Sequence, residues 1–327
     1  MIRRPPRSTQ SRSSAASDVY KRQIVDRYRV VQHDAWDHAA LVSCGRTRFG
    51  REVWVNRAYA EASVRILTGF IEPHFFAGFS GGPKAVLPGV AGGDLIMGNH
   101  SGQMLDHPNA TWGVTEGNPV WEEMLEAALL TQPTFLLNVT LNRERAITGV
   151  YAGEMQAAHR AGIEAVRQTA MRAVDEPFDI VITSNSGYPL DLNLYQAVKG
   201  MAAAARVVRE GGSIVIAAEC WDGLPEHGGY KDILRMADSP KALLELLRQP
   251  DFSRVDGWQA VIQARVQCQA EVYVYSDHLS DEQILGALLR PSHKIEETVA
   301  ELLERYGPGA RIGVLPEGPQ TIPYLRA

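Results

Sequence analysis

The chain has 327 residues, of which 45% are hydrophobic and 22% charged, with a formal net charge of −5. That composition is ordinary for a soluble globular protein, and the length allows two domains with cores of their own. The three cysteines (Cys44, Cys220, Cys268) are odd in number and far apart, which excludes a disulfide framework and a structural zinc site and points to a reducing, cytoplasmic setting.

Met1–Gln23 holds six Lys or Arg against one Asp, so the rest of the chain carries −10. An acidic body gives no reason to expect a nucleic-acid partner. No apolar run approaches the about 18–20 residues of a membrane span, which excludes a helical anchor. The leader is rich in Arg and Ser, contains Pro5-Pro6 and lacks apolar periodicity, which predicts disorder. It reads as foreign sequence, translated adapter read-through in front of the natural chain, in preference to an organelle transit peptide.

From Ile24 onward, short β-branched runs alternate with helical patterns. Strands are predicted at Tyr28–Gln32, Ala40–Ser43, Glu52–Asn56, Ser63–Gly69, Thr134–Thr140, Asp179–Ser184, Ser213–Ala218, Val272–Ser276 and Arg311–Leu315. Helices are predicted at Pro119–Leu130, Met155–Ala173, Leu194–Val208, Tyr230–Ala237, Pro240–Gln249, Gly257–Cys268, Asp281–Leu289 and Ile295–Tyr306. Such alternation predicts an α/β fold with mostly parallel, helix-flanked sheets. The long helix ending near Ala173, followed by Asp175-Glu176-Pro177, marks the junction. The expected organisation is therefore a leader over 1–23, an N-terminal domain over 24–172 and a C-terminal α/β domain over 173–327. Ligands sit beyond the carboxyl ends of strands in such sheets. The loops after Ser63–Gly69 and Asp179–Ser184 are thus expected to face one cleft between the domains.

The first of those loops is E-P-H-F-F-A-G-F-S-G-G-P-K, from Glu72 to Lys84. Gly78, Gly81 and Gly82 tolerate left-handed backbone and would let it approach a ligand closely. Lys84 beside them suits a phosphate, or an amine that bonds covalently to a cofactor. Pro83 and Ala85 break the Walker pattern, which weakens an ATPase reading. His74 and His100, in G-N-H-S-G, supply imidazoles for proton transfer or metal binding. His107 reads as a turn cap, and the remaining histidines as structural or surface residues. Gln196 and Lys199 lie three apart at the start of a helix, a sensible carboxylate receptor.

Taken together, P-H-F-F-A-G-F-S-G-G-P-K-A-V-L-P-G-V-A-G, G-N-H, S-N-S-G-Y-P-L-D-L-N-L-Y-Q-A-V-K-G, G-L-P-E-H-G-G-Y and L-P-E-G-P-Q-T-I-P-Y resemble the nickel-dependent lactate racemase family, across Ile24 to Ala327. The resemblance implies a nickel-pincer nucleotide, a pyridinium-3,5-bisthiocarboxylic acid mononucleotide holding nickel through sulfur and carbon. Lys84 matches the lysine that can be tethered to it, His100 the protein ligand of nickel and His74 one of two acid/base histidines. Phe76 and Pro88 match residues packing near the pyridinium. Tyr195, Gln196, Lys199 and Trp258 match the wall that holds the substrate carboxylate and cofactor.

The implied activity is racemisation or epimerisation of lactate or a related small 2-hydroxy acid by transient hydride transfer to the cofactor. The enzymes that synthesise the cofactor are the implied donors. The second acid/base histidine of the family falls where the leader stands, as do the N-terminal strands and a substrate-binding arginine. The expectation is therefore of a truncated, catalytically impaired chain. The alternative is a protein that binds or delivers the nickel nucleotide without turning it over. A hydrolase using the Gly-rich loop as a phosphate cradle ranks third.

Overall fold

The computed structural model describes residues 26–326 apart from His227 and Pro250. The leader over 1–23 and the histidine of G-L-P-E-H-G-G-Y lie outside the described residues. The architecture is the expected mixed α/β, with parallel sheets flanked by helices.

A five-stranded sheet dominates the C-terminal half. Its order is Arg290–Pro291, Ala270–Tyr275, Val208–Ala217, Phe178–Ser184 and Ile312–Leu315, every neighbouring pair parallel. Ile214, Val215 and Ile216 form a continuous buried run at its centre, as a strand covered on both faces requires. Helices Leu194–Ala205 and Gly257–Gln269 pack on one face. Ile295–Tyr306 covers the other through Leu302 and Val299, against Ile180, Val215 and Tyr273. From Phe178–Ser184 the chain adds strands outward on one side, then returns to place Ile312–Leu315 on the other. The switch point lies between those two strands, and there a doubly wound sheet leaves a crevice beyond its carboxyl ends. The crevice is stitched by Thr183 Oγ1, which donates to Leu315 O (3.1 Å), and by a bridge from Asn185 to Glu317.

The N-terminal half carries a smaller sheet, Ile66–Phe70, Phe135–Leu141 and Ile147–Gly153, its first pair parallel and its second antiparallel. Helix Met155–Ala170 backs it, capped by Glu154, whose carboxylate accepts from the amides of Gln156 and Ala157. His159, Ile163, Val166 and Ala170 recur at helical spacing on its buried face.

Three local expectations are corrected. Tyr28–Gln32 is not a strand: Tyr28, Val30 and Val31 are exposed and pair with no strand among the described residues. The helix expected to reach Ala173 stops at Ala170, because Met171–Val174 turns extended and pairs in parallel with Ile322–Leu325. Likewise the helix from Leu194 ends at Ala205 rather than Val208, since Val208 opens the central strand. Strand Ile147–Gly153 and the short helices Gly93–Asn99 and Gly102–Leu105 were not anticipated.

Glu123 fixes the helix that leads to His100. Its carboxylate is fully buried and accepts from Thr47 Oγ1 (2.9 Å), Arg51 Nη1 (2.8 Å) and Asn99 Nδ2 (3.0 Å). Removing one partner of such a network strands the others in a dry interior. Glu123→Ala is therefore expected to destabilise the protein by about 3–5 kcal/mol, read from the urea unfolding midpoint. An unchanged midpoint would show that Arg51 relaxes into solvent.

Candidate active site

Three segments bring the site together. The antiparallel pair Pro73–His74 and Gly78–Phe79 forms a tight hairpin that turns His74, Phe75 and Phe76 over one another. The ring centroids of His74 lie 4.9 Å from Phe75 and 4.5 Å from Phe76. Phe76 then touches His100 edge-on (5.1 Å), and His100 meets Trp258 of the C-terminal half at 5.2 Å. The Trp258 indole N–H donates to the Tyr195 hydroxyl (2.9 Å), and Tyr195 stands edge-on to Tyr230 (5.4 Å). Lys84 Nζ sits 5.7 Å from the centre of the Phe76 ring. His74, Phe76, Lys84, His100, Tyr195 and Trp258 therefore form one contiguous assembly across the two halves.

Lys199 joins them electrostatically. It lies one turn beyond Gln196 on helix Leu194–Ala205, whose first turn is capped by Asn193 accepting from the Gln196 amide (3.1 Å). Glu72, His74, Lys84 and Lys199 each keep partial access to solvent although protein surrounds them on nearly every side. That combination is what a semi-enclosed site requires. A hollow of about 410 Å³ opens beside His100 and Trp258, lined also by Trp36, Met97, Phe252 and Val255.

Crowding and like charge set the protonation states. Burial, then Lys199, lowers the Lys84 ammonium to about 7, with Glu72 opposing. Burial also lowers Lys199, against the pull of Glu72. His74 falls well below the usual histidine range through burial and the charges of Lys84, Lys199 and His100. His100 falls to about 3 through burial and Lys84. Both imidazoles are therefore neutral near pH 7. Glu72 moves the other way: burial raises it, while Lys199 and Lys84 pull it down. One carboxylate faces two lysines, so the cleft favours an anionic guest.

Hydrogen bonds select opposite tautomers for the two histidines. A carbonyl can only accept, so the contact of His100 Nδ1 with Ile96 O (3.1 Å) places the proton on Nδ1 and leaves the Nε2 lone pair open. At His74 the Ala77 amide donates to Nδ1 (3.2 Å), which leaves the proton on Nε2.

The glycines of the loop lie against protein neighbours. Each has positive φ, yet a Cβ on Gly78 would lie 2.3 Å from Val114 O, on Gly81 2.6 Å from Asn138 Oδ1 and on Gly82 2.5 Å from the His159 ring. The requirement for glycine thus comes from protein neighbours. The Gly82 amide donates to Asn138 Oδ1 (2.8 Å) and the Lys84 amide to Gly81 O (3.1 Å), so both are spent within the protein. These bonds aim the Lys84 side chain. Pro88 follows a cis peptide bond in the same loop and is partly exposed.

Among the described residues, the other histidines hold structure or lie on the surface, as expected. His107 Nδ1 accepts from the Asn109 amide (3.2 Å), closing a turn. His159 is bonded to Ser80 O (2.8 Å) beneath the loop, and His33 to Ala91 O (2.8 Å). Sequence reasoning passed over Glu72, although Glu72 and His74 stand two apart on an extended segment and so share a face. Among the described residues no group of three or more His, Cys, Asp or Glu gathers to hold a metal ion. His100 is a lone imidazole donor.

A doubly wound sheet with a switch-point crevice, and a cleft of neutralised bases and lysines, define an α/β enzyme. Its family follows from known relatives. The lactate racemase N-terminal domain family model matches residues 9–113, and the C-terminal domain model residues 174–322. The chain is 36% identical over 301 residues to the lactate racemase of Lactiplantibacillus plantarum, covering 91% of this chain and 70% of that one. The lactate racemase of Thermoanaerobacterium thermosaccharolyticum is 36% identical over 300 residues, with the same shares. The solved apoprotein of lactate racemase from T. thermosaccharolyticum superposes with a TM-score of 0.90 at 34% identity, covering 96% of this chain and 75% of that one. A Thermotoga maritima protein superposes with a TM-score of 0.69 at 18% identity, covering 90% and 78%, a likeness of fold alone. The chain belongs to the lactate racemase family, whose named members are isomerases. The N-terminal match takes in residues 9–23, part of the stretch read as foreign leader.

Proposed function

We propose that this protein racemises or epimerises lactate or a related small 2-hydroxy acid, with a nickel-pincer nucleotide as cofactor. The contiguity of His74, Lys84, His100 and Trp258 through ring contacts, with Lys199 coupled to them by charge, is the observation that carries this reading. The residues suit the cofactor. His100 offers one unprotonated Nε2, the neutral nitrogen donor that nickel prefers. A Lys84 amine lowered to about 7 is substantially unprotonated at neutral pH, as covalent attachment requires. When bound, the cofactor supplies the reversible hydrogen acceptor that no side chain can provide.

The rest falls to the chain's own residues. Lys199, with Gln196 one turn before it, receives the substrate carboxylate. Trp258, fixed by Tyr195, forms the wall that keeps water out and holds the small acid flat. His74 handles the proton on the substrate oxygen. With Nδ1 accepting from Ala77, the neutral ring carries its proton on Nε2 and holds the substrate oxygen as a hydrogen-bond donor. To take up the hydroxyl proton, Nε2 would first be freed by moving the ring proton to Nδ1, at the loss of the Ala77 bond. The three cysteines are free thiols, which supports a cytoplasmic setting, where the cofactor-making enzymes would act as donors.

The test is chain produced together with those enzymes, desalted, and given L-lactate. The expected result is nickel bound one to one, with D-lactate appearing far more slowly than from the same chain fused to an authentic N-terminal segment of the family. Full activity of the present chain would refute the impairment. Stoichiometric nickel with no interconversion of lactate or larger 2-hydroxy acids by either form would instead favour a binding or delivery protein.

A further inference from the structure

A second cavity, of about 280 Å³, lies behind the cleft, where the 110–112 segment of the N-terminal half meets two helices of the C-terminal half. Its wall joins an apolar side, formed by Phe75, Trp112, Ala202, Ile262 and Val266, to a polar one that carries two guanidiniums, Arg206 and Arg265. Arg206 reaches across the seam, Nε donating to Pro323 O (2.8 Å) and Nη1 to Thr111 Oγ1 (3.1 Å). Nη2 has no partner, and no carboxylate lies within 4 Å, among the described residues. Arg265, the other cation on the wall, is already neutralised by Asp106 and donates to Leu105 O (2.9 Å). A guanidinium has five donors in a planar fork, and Arg206 spends two of them on neutral oxygens. Burial without an acid makes that charge costly, and burial lowers the Arg206 ionisation from its ordinary value.

We propose that this cavity is a second anion site, separate from the Lys84 cleft, that takes a small monocarboxylate with its carboxylate on Arg206 and its apolar body against Phe75, Trp112 and Ile262. The chemistry of the walls selects the guest. Two oxygens can take the unspent fork of Arg206, while an aliphatic body lies against the packed Phe75–Trp112 pair, whose centroids stand 6.2 Å apart, and against Ile262 and Val266 across the cavity. A fully hydrated ion such as phosphate would leave the apolar wall unused and its own remaining oxygens unpaired. The guest would touch both halves at once. It would also press on Phe75, the ring beside His74, so its occupancy bears on how firmly the cleft is closed.

Butyrate is the probe, because it has the carboxylate and the short body but no 2-hydroxyl to react. Calorimetric titration of the full chain at pH 7, in a Lys199→Ala background that removes the carboxylate receptor of the cleft, should show one saturable site. Arg206→Met should weaken it at least about tenfold, as loss of a charge-assisted pair predicts. Ala202→Leu, which narrows the cavity while leaving the bonds of Arg206 to Pro323 and Thr111 in place, should do the same. It keeps the test valid if Arg206→Met does not fold. Phosphate should bind more weakly than butyrate. Absence of butyrate binding in the Lys199→Ala chain, affinity unchanged by Ala202→Leu, or phosphate binding as tightly would each overturn the proposal. None of these results depends on the protein being a racemase.

Discussion

Replacing His74 by glutamine should lower kcat for racemisation by about 10²–10⁴-fold while nickel content stays unchanged. Glutamine keeps the approximate length and hydrogen-bonding capacity of the imidazole but cannot carry a proton through a reaction. The local structure makes His74 suited to that task and poorly suited to others. Two phenylalanine rings fix its orientation, at 4.9 and 4.5 Å. Ala77 fixes its tautomer at 3.2 Å. Burial and the neighbouring lysines hold it neutral across the physiological range. A histidine serving only to pack would lose stability on substitution and leave the turnover of the surviving folded protein nearly intact. Turnover per bound nickel, set against the unfolding midpoint, separates the two. The acid limb of kcat should lie well below pH 6.5, because the folded ionisation is lowered; a limb centred at 6.5 would assign the proton to another group.

How far the sequence reveals this arrangement depends on the kind of signal each residue gives. The central strands show plainly, because Ile214-Val215-Ile216 can be buried on both faces only in a parallel sheet with helices above and below. Helix Pro119–Leu130 was legible to the residue, since Asn118 caps it and Pro119 opens it. His74, Lys84 and His100 stood out because reactive side chains cluster there among glycines. Hidden were the features set by tertiary partners. Ile147–Gly153 is a strand because Phe135–Leu141 is there to pair with it. Met171–Val174 leaves its helix for Ile322–Leu325, some 150 residues away in sequence. The glycines were silent for the same reason: nothing in F-S-G-G-P-K tells whether a ligand or His159 fills the space where a Cβ would be. Nor could spacing reveal that the Glu72 carboxylate faces two lysines.

The amine of Lys84 should titrate near pH 7, some three units below a surface lysine at about 10.4. Competitive labelling of the cofactor-free protein with a trace amine reagent, read peptide by peptide, measures it directly. A model peptide with one free lysine side chain, labelled in the same mixture, serves as the internal standard. The lowered value has two consequences of opposite kind. For chemistry, the amine is a nucleophile at neutral pH, so loaded protein should carry a cofactor mass adduct that Lys84→Arg abolishes, since a guanidinium is never a free base. For stability, the group is a liability. Its folded ionisation lies below the unfolded one, so between about pH 7 and 10.4 the unfolded chain binds the extra proton and folding strengthens as pH rises. Below pH 7 both states are protonated, and the full cost of the crowded charge is felt. Lys84→Met should therefore raise the unfolding midpoint of the cofactor-free protein at pH 6.5 and flatten the rise above pH 7, by about 1–3 kcal/mol once solvent access is allowed for. A Lys84 that labels like a surface lysine, with Lys84→Met neutral in stability at every pH, would mean that the two lysines and Glu72 do not share a cleft in solution. The convergence on which the racemase reading rests would then be lost.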